Sequence, residues 1–167
     1  MRLKDKVAVV TGAGTEFGKS IAVGYLREGA QLYLHEFAEN GEKLDKVAHA
    51  ARQSGGRVET GLFDITTADA TAAMTREIVA KFGRIDVLVN TTDGGWHGKF
   101  FECTEANWDK ALDRGLKAYF LTCQHIGKEM ARRGQGKIIN ITSIVGLLGS
   151  GGAVRSEERR VGKECRL

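Results

Sequence analysis

There is no proline among the 167 residues. Helix ends and turns must therefore be marked by glycine, which is plentiful at 22. Cysteine is scarce: Cys103, Cys123 and Cys165 are odd in number, scattered, and without CxxC spacing. That excludes a disulfide framework or a cysteine metal knuckle, and suits a reducing cytoplasm. No apolar run reaches the ~18 residues of a membrane span, and no signal peptide precedes the first strand pattern. An excess of one charge is also missing. Half of the net charge of +4 sits in Arg155–Leu167, where five Lys/Arg oppose three Glu. The body is nearly neutral and shows no basic stripe interleaved with aromatics, which argues against a nucleic-acid partner. The four histidines, His35, His49, His97 and His125, lack paired ligand spacing, so no metal site is expected and they read as surface or interface residues.

What is present is a stretch around which the chain is organised, VAVVTGAGTEFGK over Val7–Lys19. Val7–Val10 is short, apolar and β-branched, as a buried strand requires. It breaks at Thr11-Gly12-Ala13-Gly14, and a helical pattern follows with Phe17, Ile21, Ala22, Tyr25 and Leu26 on one face. Strand, glycine turn and helix N-terminus are the build of a dinucleotide pyrophosphate site, and a plain structural turn can share the same glycines. Gly12 allows a tight turn and close approach of backbone to phosphate, and Gly18 lets the helix pack close to the strand. The helix tip adds unpaired N–H groups and partial positive charge.

The remaining elements follow in alternation. Lys6–Thr11 is strand 1 and Glu16–Glu28 a helix closed by Gly29. Gln31–His35 is strand 2. Asn40 is placed to cap a second helix, with Leu44, Val47, Ala48 and Ala51 at helical spacing until Gly55-Gly56. Arg57–Leu62 is strand 3. Thr66 or Thr67 caps a third helix, with Met74, Ile78 and Phe82 on one face. Ile85–Asn90 is strand 4 and Thr91–Glu102 a glycine-rich loop. One long helix then runs from Thr104, with Trp108, Leu112, Leu116, Phe120, Cys123, Ile126 and Met130 in phase, and Lys137–Thr142 is strand 5. Strands alternating with helices predict βαβ units and a parallel sheet covered on both faces. Covered faces explain why strands 1 and 4 are apolar throughout. Ligands of such sheets sit beyond the C-terminal strand ends, and Thr11, Asp64, Asn90 and Ser143 all fall there.

These motifs resemble the short-chain dehydrogenase/reductase family over residues 1–154. TGAGTEFG is similar to that family's TGxxxGxG loop, Asp64-Ile65 to its adenine-contacting Asp-Val, and Leu88-Val89-Asn90 to the opening of its Asn-Asn-Ala-Gly segment. Asn140-Ile141-Thr142-Ser143 is similar to its Asn-Ile-Ser-Ser, whose last serine is catalytic. The resemblance implies a Rossmann-type doubly wound sheet of order 3-2-1-4-5 in a three-layer α/β/α fold. It also implies an oxidoreductase that passes a hydride between a nicotinamide cofactor and a small alcohol or carbonyl substrate. Thr11, Gly12, Gly14, Phe17, Gly18, Glu36, Asp64, Ile65 and Asn90 become the cofactor positions and Ser143 the catalytic one. Thr11 and Asn90 suit bracing strand 1 against strand 4, by hydroxyl and amide, better than touching substrate. Glu36 ends strand 2, 24 residues after Gly12. A carboxylate there accepts from both ribose hydroxyls and repels a 2′-phosphate, so NAD is expected over NADP. The resemblance further implies a homo-oligomer paired through the helix of residues 105–133. Trp96 and His97 are placed to line a substrate pocket.

Several positions depart from the pattern. Glu16 replaces the loop's middle glycine and puts a carboxylate near the phosphates. Thr91-Thr92-Asp93 replaces Asn-Ala-Gly, and Gly115 stands where the family carries an active-site asparagine. No Tyr-x-x-x-Lys exists: the family spacing lands on Ser156 and Arg160, and Tyr25, Tyr33 and Tyr119 are followed four residues on by Gly29, Phe37 and Cys123. The expectation is an inactive chain as written, or alternatively a non-catalytic NAD-binding protein that serves as a sensor or interaction module. Arg155–Leu167 has no apolar period and resembles a translated sequencing adapter. The domain is therefore expected to span 1–154, incomplete, with 155–167 an artefactual tail.

Overall fold

A computed structural model describes residues 1–53, 55–92 and 100–143. Expectations about Asp93, Trp96, His97 and the tail 155–167 fall outside the described residues. The chain alternates as expected: β1 (Val7–Thr11), α1 (Glu16–Arg27), β2 (Gln31–Glu36), α2 (Gly41–Gln53), β3 (Val58–Leu62), α3 (Ala68–Phe82) and β4 (Val87–Asn90). Then come α4 (Glu105–Leu112), α5 (Ala118–Arg132) and β5 (Lys137–Asn140). The five strands pair in parallel in the order β3-β2-β1-β4-β5. Strand order reverses beside β1, so the crevice lies between the C-terminal ends of β1 and β4.

Side chains alternate across this sheet into two cores. Ala8, Val10, Leu32, Leu34, Val87 and Val89 pack with Ala22 of α1 and with Leu44, Val47, Ala48 and Ala51 of α2. Val9, Tyr33 and Leu88 face the other way, onto Met74 and Ile78 of α3 and Ala118, Ile126 and Met130 of α5. Burial on both faces is what makes the strands read as continuous apolar runs. At the opposite end of the crevice, Asp86 Oδ2 accepts the Val7 N–H at 2.9 Å and Arg84 Nε–H at 2.8 Å. Burial pushes the Asp86 carboxyl up, but the Arg84 and Val7 hydrogen bonds outweigh it and hold it below the usual range.

Four sequence expectations need correction. The long helix is not continuous: Asp113–Lys117 forms a π-turn between α4 and α5. Gly115 is its central residue, and a residue with poor helix propensity favours such a bulge. Phe17 does not join the buried face of α1. It is 57% exposed at the helix tip, while Gly18 and Ala22 are buried. Asn40 is no extended cap, because the chain enters α2 through a 3-10 turn over Ala38–Asn40. His35 is not a surface residue. It is fully buried, with Nε2–H donating to the Phe63 carbonyl at 2.9 Å.

Candidate dinucleotide site

The loop after β1 is built by close contacts that only glycine permits. Gly12 has φ +66, and a Cβ there would lie 2.9 Å from the Thr91 carbonyl oxygen. A Cβ on Gly18 would lie 2.4 Å from the Gly12 carbonyl oxygen, so α1 packs hard against the loop. Thr15 caps α1, accepting the Gly18 N–H at 3.0 Å and donating to Gly12 O at 2.9 Å. Among the described residues, the N–H groups of Glu16 and Phe17 have no protein acceptor. They are free to meet an anion at the positive end of the helix. The Glu16 side chain, a concern in the sequence, is 91% exposed and reaches Lys19 at 3.6 Å.

Glu36 closes the second wall. It is 3% exposed, and its Oε2 accepts the Gly14 N–H at 3.0 Å while Oε1 accepts the Phe37 N–H at 3.0 Å. The carboxylate thus sits against the loop with acceptor capacity to spare. Beside it, Arg114 of the π-turn lays its guanidinium 4.3 Å from the centre of the Phe37 ring and pairs with Glu39. The Arg114 carbonyl in turn accepts the Thr92 hydroxyl at 2.8 Å.

Between β1 and β4 runs a polar seam. Thr11 Oγ1–H lies 3.3 Å from Asn90 Oδ1, which also accepts the Thr122 hydroxyl at 2.9 Å. Asn90 Nδ2–H donates to Asn140 Oδ1 at 2.9 Å. Thr11 and Asn90 are fully buried, so their side chains tie β1, β4, α5 and β5 together at the floor of the crevice. Tyr119 adds a further tie, its hydroxyl 3.3 Å from the carbonyl oxygens of both Thr92 and Ile141.

The other expected residues scatter around this floor. Asp64 is exposed beyond β3, and its Oδ1 accepts the Thr66 N–H at 3.1 Å and the Thr66 hydroxyl at 2.6 Å. There it closes the turn that leads into α3. Ile65 is fully buried with Tyr33, Phe37 and Met74, so its side chain belongs to the core. Ser143 is exposed, past the end of β5. Arg114, Phe37, Glu39 and Tyr119 were not expected as neighbours of the crevice. Gly115 inside an otherwise good helix was the one available signal. Among the described residues no His/Cys/Asp/Glu group is arranged to hold a metal, and no helix is long and apolar enough to cross a membrane.

Comparison with known proteins places this geometry. The profile of a family described as short chain dehydrogenase matches residues 6–155. The 3-oxoacyl-(acyl-carrier-protein) reductase FabG of Thermotoga maritima is 30% identical over 97% of this chain and 65% of its own length. FabG of Staphylococcus aureus is 33% identical over 88% of this chain and 59% of its own. Levodione reductase superposes with a TM-score of 0.82 at 27% identity, over 96% of this chain and 63% of that one. NAD+-bound xylitol dehydrogenase superposes with a TM-score of 0.87 at 23% identity and speaks for the fold alone. The chain spans roughly three-fifths to two-thirds of the length of these relatives, from 59% to 65%.

Proposed function

The chain belongs to the short-chain dehydrogenase/reductase family, an oxidoreductase family, and we propose that it binds NAD(H) across the crevice at the ends of β1, β2 and β4. The observation that carries this is the pairing of the glycine loop with Glu36, buried and hydrogen-bonded to that loop. The first-turn N–H groups of α1 hold the pyrophosphate. Gly12 and Gly14 would let the backbone approach it, and the exposed Phe17 in the first turn of α1 would border it. Glu36 accepts from the adenosine ribose hydroxyls, and its charge disfavours a 2′-phosphate. Asp64 and the backbone of Ile65 border the adenine.

The bound nicotinamide supplies or takes the hydride. Ser143 holds the oxygen of a small alcohol or carbonyl substrate by hydrogen bond. Thr11 and Asn90 keep β1 and β4 in register beneath. Proton delivery to that oxygen needs a group titrating near neutral pH, and serine does not. With no Tyr-x-x-x-Lys in its sequence, the 167-residue chain is expected to bind the dinucleotide without turning over. That supports a second reading, a dinucleotide-binding module without catalysis. Leu116 and Phe120, one turn apart on the outer helix face and 67% and 58% exposed, support pairing of two copies through residues 105–133. Residues 1–154 are proposed as an incomplete dinucleotide-binding domain, with 155–167 foreign to it.

Calorimetric titration with NAD and NADP tests the reading. Tighter binding of NAD, lost on Gly12→Val, is the expected result. Tighter NADP would overturn the preference, and no uptake of either would overturn the site.

A further inference from the structure

Arg114 spans the crevice. Its carbonyl is fastened to Thr92, just past β4, and its guanidinium lies on Phe37, just past β2. Those strands flank β1, so Arg114 and its two contacts bridge the ends of β4 and β2. Phe37, on which the guanidinium lies, adjoins Glu36, the residue proposed above to take the ribose hydroxyls. The π-turn is what places Arg114 there, since an inserted residue re-aims the side chains around it. The guanidinium is half-buried, 21% exposed, and its charge is met by Glu39, whose carboxyl is held below its ordinary range by a backbone hydrogen bond and by Arg114.

Resting on the dinucleotide reading above, we infer that Arg114 is a latent ligand for a 2′-phosphate, and that Glu39 holds it in the paired state that disfavours one. With Glu39 in place the cation is already paired, and the acidic Glu36 is the nearest group to the ribose edge. An arriving phosphate must then displace Glu39 and still face Glu36. Without Glu39 the same guanidinium becomes a fork-shaped donor set with its charge unmet, suited to a phosphate monoester. Neither residue touches reacting atoms, so the effect belongs to binding.

The test measures NAD and NADP affinities by calorimetry on the 167-residue chain and three variants: Glu39→Ala, Arg114→Ala and the double variant. Glu39 is 51% exposed on its side chain, and thermal melts of each variant verify folding. The inference predicts that Glu39→Ala raises the NADP-to-NAD affinity ratio by about tenfold, as one freed charge-assisted contact allows. It also predicts that the double variant returns to the wild-type ratio. An unchanged ratio in Glu39→Ala would show an ordinary surface ion pair and overturn the inference while leaving the dinucleotide site standing. A raised ratio that persists in the double variant would overturn Arg114's part in the same way. If the unmodified chain takes up neither dinucleotide, the underlying reading fails, and this inference with it. If Glu39→Ala fails to fold, Glu39→Gln keeps the shape, removes the charge and carries the same prediction.

Discussion

Two backbone donors, the N–H groups of Gly14 and Phe37, depend on the Glu36 carboxylate. Glu36→Ala would leave both without their acceptor in a site that is 3% exposed. A destabilisation of about 1–3 kcal/mol is expected in a denaturant melt, together with loss of discrimination against NADP. The position of Glu36 at a strand end was legible from spacing; its grip on the glycine loop was not, because that grip depends on how far α1 tilts onto β1. His35, its neighbour, points into the core. Burial drives its imidazole down to about 4, against the opposing effect of its bond to the Phe63 carbonyl. In the unfolded chain the same group titrates near 6.5. Below that pH the unfolded chain takes up a proton that the folded chain refuses until about 4. Stability should therefore fall as pH drops through this window, by about 3 kcal/mol, and level off below it. Melts of wild type and His35→Leu across that range check this, since the variant should lack that part of the slope. Nothing in the sequence distinguished His35 from a surface histidine except its place in an apolar strand.

The helix that opens at Thr15 is where local sequence and site coincide. Thr15 satisfies the Gly18 N–H and also holds the turn through Gly12 O. Thr15→Ala should cost about 1 kcal/mol and weaken dinucleotide binding at the same time. Gly18→Ala should act more strongly, because its Cβ would fall 2.4 Å from a backbone oxygen that cannot yield without moving the loop. Loss of binding with a melt lowered by about 1–3 kcal/mol is expected. The role of Gly18 was readable because glycine acts within a few positions of itself; the Thr15 cap was not read from the sequence. The interruption between α4 and α5 was less readable. Trp108, Leu112, Leu116 and Phe120 keep helical phase closely enough to mask it, yet Leu116 and Phe120 are left exposed where a continuous amphipathic helix would bury them. Arg114 owes its place over Phe37 to that interruption, so the partner it meets in β2–α2 could not be read from periodicity.

For the molecule as a whole, the parallel sheet with helices on both faces followed from alternation and handedness, while the strand order came from the family resemblance. The two cores on opposite faces of the sheet agree with the unbroken apolar strands. The Thr11–Asn90 brace between β1 and β4 was expected; what pattern could not supply is its extension to Thr122 of α5 and Asn140 of β5, which lie far away in sequence. At the sheet's end, β5 pairs only with β4 among the described strands, and Lys137–Asn140 are exposed, with Ile138 at 41% and Ile139 at 40%. An open apolar edge invites pairing with another chain. The 167-residue chain is expected to self-associate in a concentration-dependent way by light scattering, and Ile139→Lys should reduce it. The most direct test of the central claim is hydrogen–deuterium exchange of this chain at low concentration with saturating NAD. The account predicts slowed exchange over residues 11–18 and 36–39. Unchanged exchange in both segments would contradict it.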